Sequence, residues 1–165
     1  MKNLRMLIFA TLSYMALGQG RESFYKQIDH FVHAFGVPVI KVEDIKKDKT
    51  KKYVFLDARE LNEYQISHIK DAIHVGYNDF SFKRVNPIAK SQILVVYCSV
   101  GYRSGVIAKK LKREGYEVYN LYGGIFEWVQ KGHKVYKSND KPTNKVHGYD
   151  EKWKKWVENA QAVID

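Results

Sequence analysis

The chain has 165 residues, of which 45% are hydrophobic and 28% charged, so a single globular domain is expected and disorder or a collagen-like repeat is excluded. The formal net charge is +10, from 28 Lys and Arg against 18 Asp and Glu, and such a surface attracts anions. The lysines are scattered among acids, and no RNP, zinc-finger or helix-turn-helix pattern occurs, so nucleic acid is not an expected partner.

In chain order, Lys2 and Arg5 precede an apolar run from Met6 to Leu17, and Ala16-Leu17-Gly18 follows the small-x-small pattern. This layout predicts a signal peptide over residues 1–18, cleavage before Gln19, and export to the periplasm or the cell exterior. Contact with a membrane is then transient and confined to this segment, because a span takes about 20 apolar residues. An uncleaved anchor or a buried helix is the competing reading. Residues 19–38 are expected to form a helical extension, with Phe24, Ile28, Phe31, Val32 and Phe35 at near-helical spacing and Gly36 and Pro38 as its stop.

Short apolar runs at 39–42, 53–57, 72–75, 93–97 and 118–121 predict strands. The run Ile93-Leu94-Val95-Val96-Tyr97 is the densest in β-branched residues. Helical segments are expected at 43–47, at 60–64, within 76–90, after Ser104 as far as Gly115, and at 125–131. This alternation implies an α/β, three-layer domain over 39–137, with a mostly parallel sheet of about five strands and helices on both faces. Residues 138–147 read as a polar loop. Residues 152–164 read as a terminal helix, from the spacing of Trp153, Trp156, Val157, Ala160 and Ile164.

Cys98 is the only cysteine, so it forms no intramolecular disulfide. It ends the strongest strand, and active sites of parallel sheets lie at such ends. The loop that follows should curl at a helix N-terminus, turning backbone N–H groups inward to bind an anion. Gly101 supplies the freedom for the curl. The helix dipole and Arg103 favour negative charge there, which suits the thiolate, the nucleophilic form of cysteine. A buried, inert cysteine before an ordinary turn is the alternative that the loop alone leaves open.

The loop Cys98-Ser99-Val100-Gly101-Tyr102-Arg103-Ser104 resembles the C-x-x-G-x-R-S active-site loop of the rhodanese family. Two further blocks match in family order: Val54 to Glu60, continued by Glu63-Tyr64 and His68 to Ile73, and Tyr122-Gly123-Gly124 to Trp128, closed by Gly132. Ser67 and Lys70-Asp71 depart from the usual residues of the connecting loop. The resemblance implies a sulfurtransferase that carries sulfane sulfur as a persulfide on Cys98. It passes that sulfur from a small anionic donor such as thiosulfate to a thiol, cyanide or a sulfur-carrier protein. It implies that Ser99, Val100, Gly101, Tyr102, Arg103 and Ser104 bind the substrate, and that Asp57 and Arg59 brace the site. His68 and Trp128 are expected to be structural. No cofactor is expected, and the histidines show no metal-ligand spacing. Three alternatives stand beside this reading. One is a regulatory binding module without turnover, another a redox thiol that needs a partner. The third is a cysteine phosphatase, whose signature is H-C-x5-R. Here Tyr97 precedes the cysteine, and Arg103 gives C-x4-R, a loop one residue too short to cradle a tetrahedral phosphate.

Overall fold

The computed structural model describes residues 22–47, 50–157 and 159–164; the expected signal peptide, residues 1–18, lies outside them. Helix α1 (22–33) is followed by β1 (Val39–Ile40), α2 (Val42–Lys47), β2 (Tyr53–Asp57), α3 (Leu61–Ile66) and β3 (Ile73–His74). Then come β4 (Ile93–Tyr97), α4 (Tyr102–Arg113), β5 (Glu117–Leu121) and α5 (Gly124–Gln130). The five strands form one parallel sheet in the order β1-β5-β4-β2-β3. Side chains alternate across a strand, and β4 is buried on both faces as a result. Val95 and Tyr97 join the core made with Phe24, Ile28 and Val32 of α1 and Ile125 and Phe126 of α5. Leu94 and Val96 join the opposite core, made with Ile107, Ala108 and Leu111 of α4. A continuous apolar run is what such a doubly covered strand requires.

The chain winds from β2 outward to β3, then returns across β2 to β4 and on to β5. The carboxyl ends of β2 and β4 flank this reversal, and open parallel sheets bind ligands at such a place. Cys98 follows β4 directly.

Three local expectations are corrected. The region 76–90 holds only a 3-10 turn, Phe82–Arg84, capped by the Ser81 side chain. Arg84 there donates to Val75 O and pairs with Asp79, and these local bonds compete with a regular helix. The stretch 138–147 is not all loop. It contains β7 (Pro142–Thr143), which pairs antiparallel with β6 (Val135–Tyr136), and β8 (Lys145–His147). Asp140, at φ 58°, makes the hairpin turn, and proline is tolerated because β7 is an edge.

The terminal helix is also much shorter than expected. It is a single turn, α6 (Glu151–Lys154), N-capped by Asp150, and β9 (Gln161–Val163) then pairs parallel with β8. The spacing of Trp153 and Trp156 packs both half-buried rings against α1 without a continuing helix. The Gln130 side chain donates to Trp156 O, and Asn159 donates to Gln130 O at 2.7 Å. These bonds hold the chain against the end of α5 and turn it back toward β8.

Candidate active site

The loop after β4 is held from two sides. Below it, Ile125 N–H donates to Cys98 O at 2.9 Å and Phe126 N–H to Ser99 O at 3.2 Å. The free N–H groups of the first turn of α5 thus support the cysteine backbone. This close approach demands glycine at 124: a Cβ there would lie 2.2 Å from Cys98 O, and φ is +54°. Read from sequence as a mere turn, Gly123-Gly124 is the seat of the loop. Beside it, Val32 of α1 packs so near Gly101 (φ +118°) that a Cβ would stand 2.5 Å from its methyl carbon.

The cysteine Sγ faces the start of α4. Gly101, which caps that helix, directs its N–H at Sγ over 3.1 Å, and Ser104 Oγ lies 3.4 Å from Sγ. Ser104 donates to Asn120 Oδ1 at 2.7 Å, while Asn120 Nδ2 donates to Gly101 O at 2.8 Å. Asn120 therefore ties both ends of the cradle to β5. The sequence reading gave it no role; the signal was an amide in the middle of an apolar strand, where a buried polar group needs partners. The N–H groups of Tyr102, Arg103 and Ser104 begin a twelve-residue helix, so they have no carbonyl four residues back within it.

Arg103 is shared. Its guanidinium makes a bidentate pair with Glu63 at 2.5 and 2.8 Å and donates to Ser99 Oγ at 3.0 Å. Burial works against the Glu63 charge, but the hydrogen bonds and charge of Arg103 outweigh it and hold the carboxyl below the usual glutamate range. The Glu63 side chain also accepts from Glu60 N–H, closing a capping box on α3. Glu63 belongs to the first family-like block of the sequence but was assigned no role from it; its pairing with Arg103 spans forty residues and leaves no mark in local spacing.

Asp57 and Arg59 lie one layer deeper. Both are fully buried and form an ion pair at 2.6 Å, with Arg59 also donating to Ser67 O. Burial disfavours the Arg59 charge, yet Asp57 overcomes this and raises its pKa. Neither lines the cavity over Cys98. Their connection to the loop runs through Tyr97, whose ring centre is 5.7 Å from the Arg59 guanidinium and whose hydroxyl accepts from Ile69 N–H.

A cavity of about 290 Å³ opens over the loop, lined by Cys98, Ser99, Val100, Tyr102 and Arg103. Its outer wall is Phe31 from α1 and Tyr149 and Trp153 from the C-terminal segment, none of which was among the expected site residues.

A lone, cradled cysteine at the end of a central parallel strand defines a class of cysteine-dependent α/β domains. Residues 41–131, more than half of the chain, match the rhodanese-like domain family, and the chain belongs to that family. It is 31% identical over 108 residues to the thiosulfate sulfurtransferase GlpE of Coxiella burnetii, covering 63% of this chain and 87% of that one. It is 29% identical over 102 residues to the putative sulfur carrier protein YrkF of Bacillus subtilis. There the match covers 60% of this chain and 55% of the relative, so the chain spans about half the length of that protein. A rhodanese-related protein of Thermoplasma volcanium superposes with a TM-score of 0.53 at 23% identity, over 59% of this chain and 96% of that one. That likeness concerns the fold. The family and its sulfurtransferase relatives support a sulfur-transfer role in general.

Proposed function

We propose that the chain is a sulfurtransferase that carries sulfane sulfur as a persulfide on Cys98. The observation that supports this best is the Gly101 N–H aimed at Sγ from the start of α4, at 3.1 Å. Fixed dipoles there stabilise a thiolate, and a persulfide anion after it, without reorganising.

In the first half-reaction the Cys98 thiolate attacks the terminal sulfur of the donor. A new S–S bond forms, and the bond from that sulfur to the rest of the donor breaks. The leaving group takes the electron pair, as sulfite does from thiosulfate. In the second, a thiol, cyanide or sulfur-carrier nucleophile attacks the outer sulfur and returns Cys98 as the thiolate. No external oxidant or reductant is consumed. Glu63 and Ser99 hold Arg103 beside the loop, so its contribution is to shape the rim and not to act as an unshared cation.

The test is mass spectrometry of the protein after incubation with thiosulfate or an organic thiosulfonate. A gain of one sulfur on Cys98 is expected, together with its loss on adding cyanide and its absence in Cys98→Ser. A serine variant that still forms thiocyanate at the wild-type rate would falsify the assignment.

A further inference from the structure

Three of the eight residues that line the Cys98 cavity come from outside the family-matched segment. Phe31 belongs to α1; Tyr149 and Trp153 belong to the C-terminal segment. Phe31 contacts Tyr102 edge-on at 5.6 Å between ring centres and lies 6.0 Å from Trp153. Tyr149 closes the other side, with the Arg103 guanidinium 5.0 Å from its ring centre.

Tyr149 is held there against its own backbone preference. Its φ is 67°, a left-handed conformation uncommon for a bulky residue. Neighbouring bonds fix it: Tyr149 N–H donates to His147 Nδ1 at 3.0 Å, and Gly148 N–H to Val163 O of β9 at 2.8 Å. Strain of this kind persists only where the surroundings impose it, and it collects at ligand clamps.

The charge balance matters as much as the rings. Among the described residues that line the cavity, Arg103 is the one cation, and Glu63 holds it in a bidentate pair. An inorganic dianion would meet backbone N–H groups, apolar rings and no unshared positive side chain. The volume of about 290 Å³ sits at the lower end of small-molecule pockets, about 300–1,000 Å³, and exceeds what a small inorganic ion fills.

We infer that Phe31, Tyr149 and Trp153 make the site selective for an organic sulfane-sulfur donor bearing an apolar group, over inorganic thiosulfate. This rests on Cys98 being the sulfur carrier. The apolar group lies against the rings while its terminal sulfur reaches Sγ. With an organic persulfide, the Cys98 thiolate attacks the outer sulfur, the S–S bond breaks, and the organic thiolate leaves with the electron pair. With an aryl thiosulfonate, the arylsulfinate leaves in the same way.

The experiment compares benzenethiosulfonate, methanethiosulfonate and thiosulfate as donors, with cyanide as acceptor. Wild-type kcat/KM for the phenyl donor is expected to exceed that for the methyl donor by about tenfold or more, the discrimination an apolar pocket provides. Trp153→Leu and Tyr149→Asn should each move the phenyl-to-methyl ratio toward unity. The asparagine keeps the left-handed backbone comfortable, and the Tyr149 ring is half exposed, so this variant folds even if the first is unstable. Similar kcat/KM for all three donors in the wild type, or a ratio that neither variant changes, overturns the selectivity and leaves the sulfur-carrier reading standing. No sulfur adduct and no turnover with any donor overturns both.

Discussion

The family-matched segment and its two flanks meet over Cys98 but are built by different means. In the segment, position is set by backbone geometry. Gly124 lets α5 touch the carbonyls of Cys98 and Ser99, and Gly101 lets the loop curl under Val32. In the flanks, position is set by ring packing. Phe24 stacks on Trp156 at 4.5 Å between centres and 20° between planes, and Phe31 leans on Trp153. The contrast teaches that the Cys98 sulfur is placed by close backbone contacts with little tolerance. The walls above it are placed by side chains that can be exchanged.

The sharpest way to break this contrast is Gly124→Ala. A methyl group 2.2 Å from Cys98 O at φ +54° should cost about 2–4 kcal/mol, and sulfur loading on Cys98 should fall with it. Denaturant unfolding and the mass assay measure both; near-normal values would show that the loop does not depend on this contact.

A smaller effect is expected at Glu63, whose folded pKa lies below its unfolded one. The sign follows: its pairing with Arg103 stabilises the fold fully above the ordinary glutamate value, about 4.3. That contribution is lost as the pH falls through the lower folded value. Glu63→Gln should cost about 1–3 kcal/mol at neutral pH and flatten that part of the acid limb. Stability curves from pH 7 down to acid that superpose for the two proteins would show the pair to be idle.

The mildest change lies in a flank. Trp156→Leu keeps apolar burial but loses the stacked pair with Phe24, worth about 1 kcal/mol. Hydrogen exchange should quicken in 22–33 and 150–157, while the β4 and β2 amides and thiocyanate formation stay near wild type. Equal loosening of the sheet would mean that flank and segment unfold as one unit.

Much of the segment was legible in the residues because its rules are local. A short β-branched run bounded by turn residues reads as a buried strand, and a cysteine at its end followed by glycine and a helix start made the loop a candidate cradle beside the alternative of an inert buried thiol. The same reasoning failed in the last thirty residues. There the helical spacing of Trp153 and Trp156 was satisfied by one turn of helix, and the chain then returned to pair β9 with β8.

The sequence by itself determined most of the strand and helix alternation between residues 39 and 131 and singled out Cys98 as the candidate, since hydrophobic periodicity and turn residues act over a few residues. Only the tertiary structure decided that Glu63 holds Arg103, that Asn120 braces the loop, and that residues 31, 149 and 153 share one cavity wall. Those contacts join groups far apart in the chain. Partners of that kind are selected by the packing of the whole fold, and no local spacing records them.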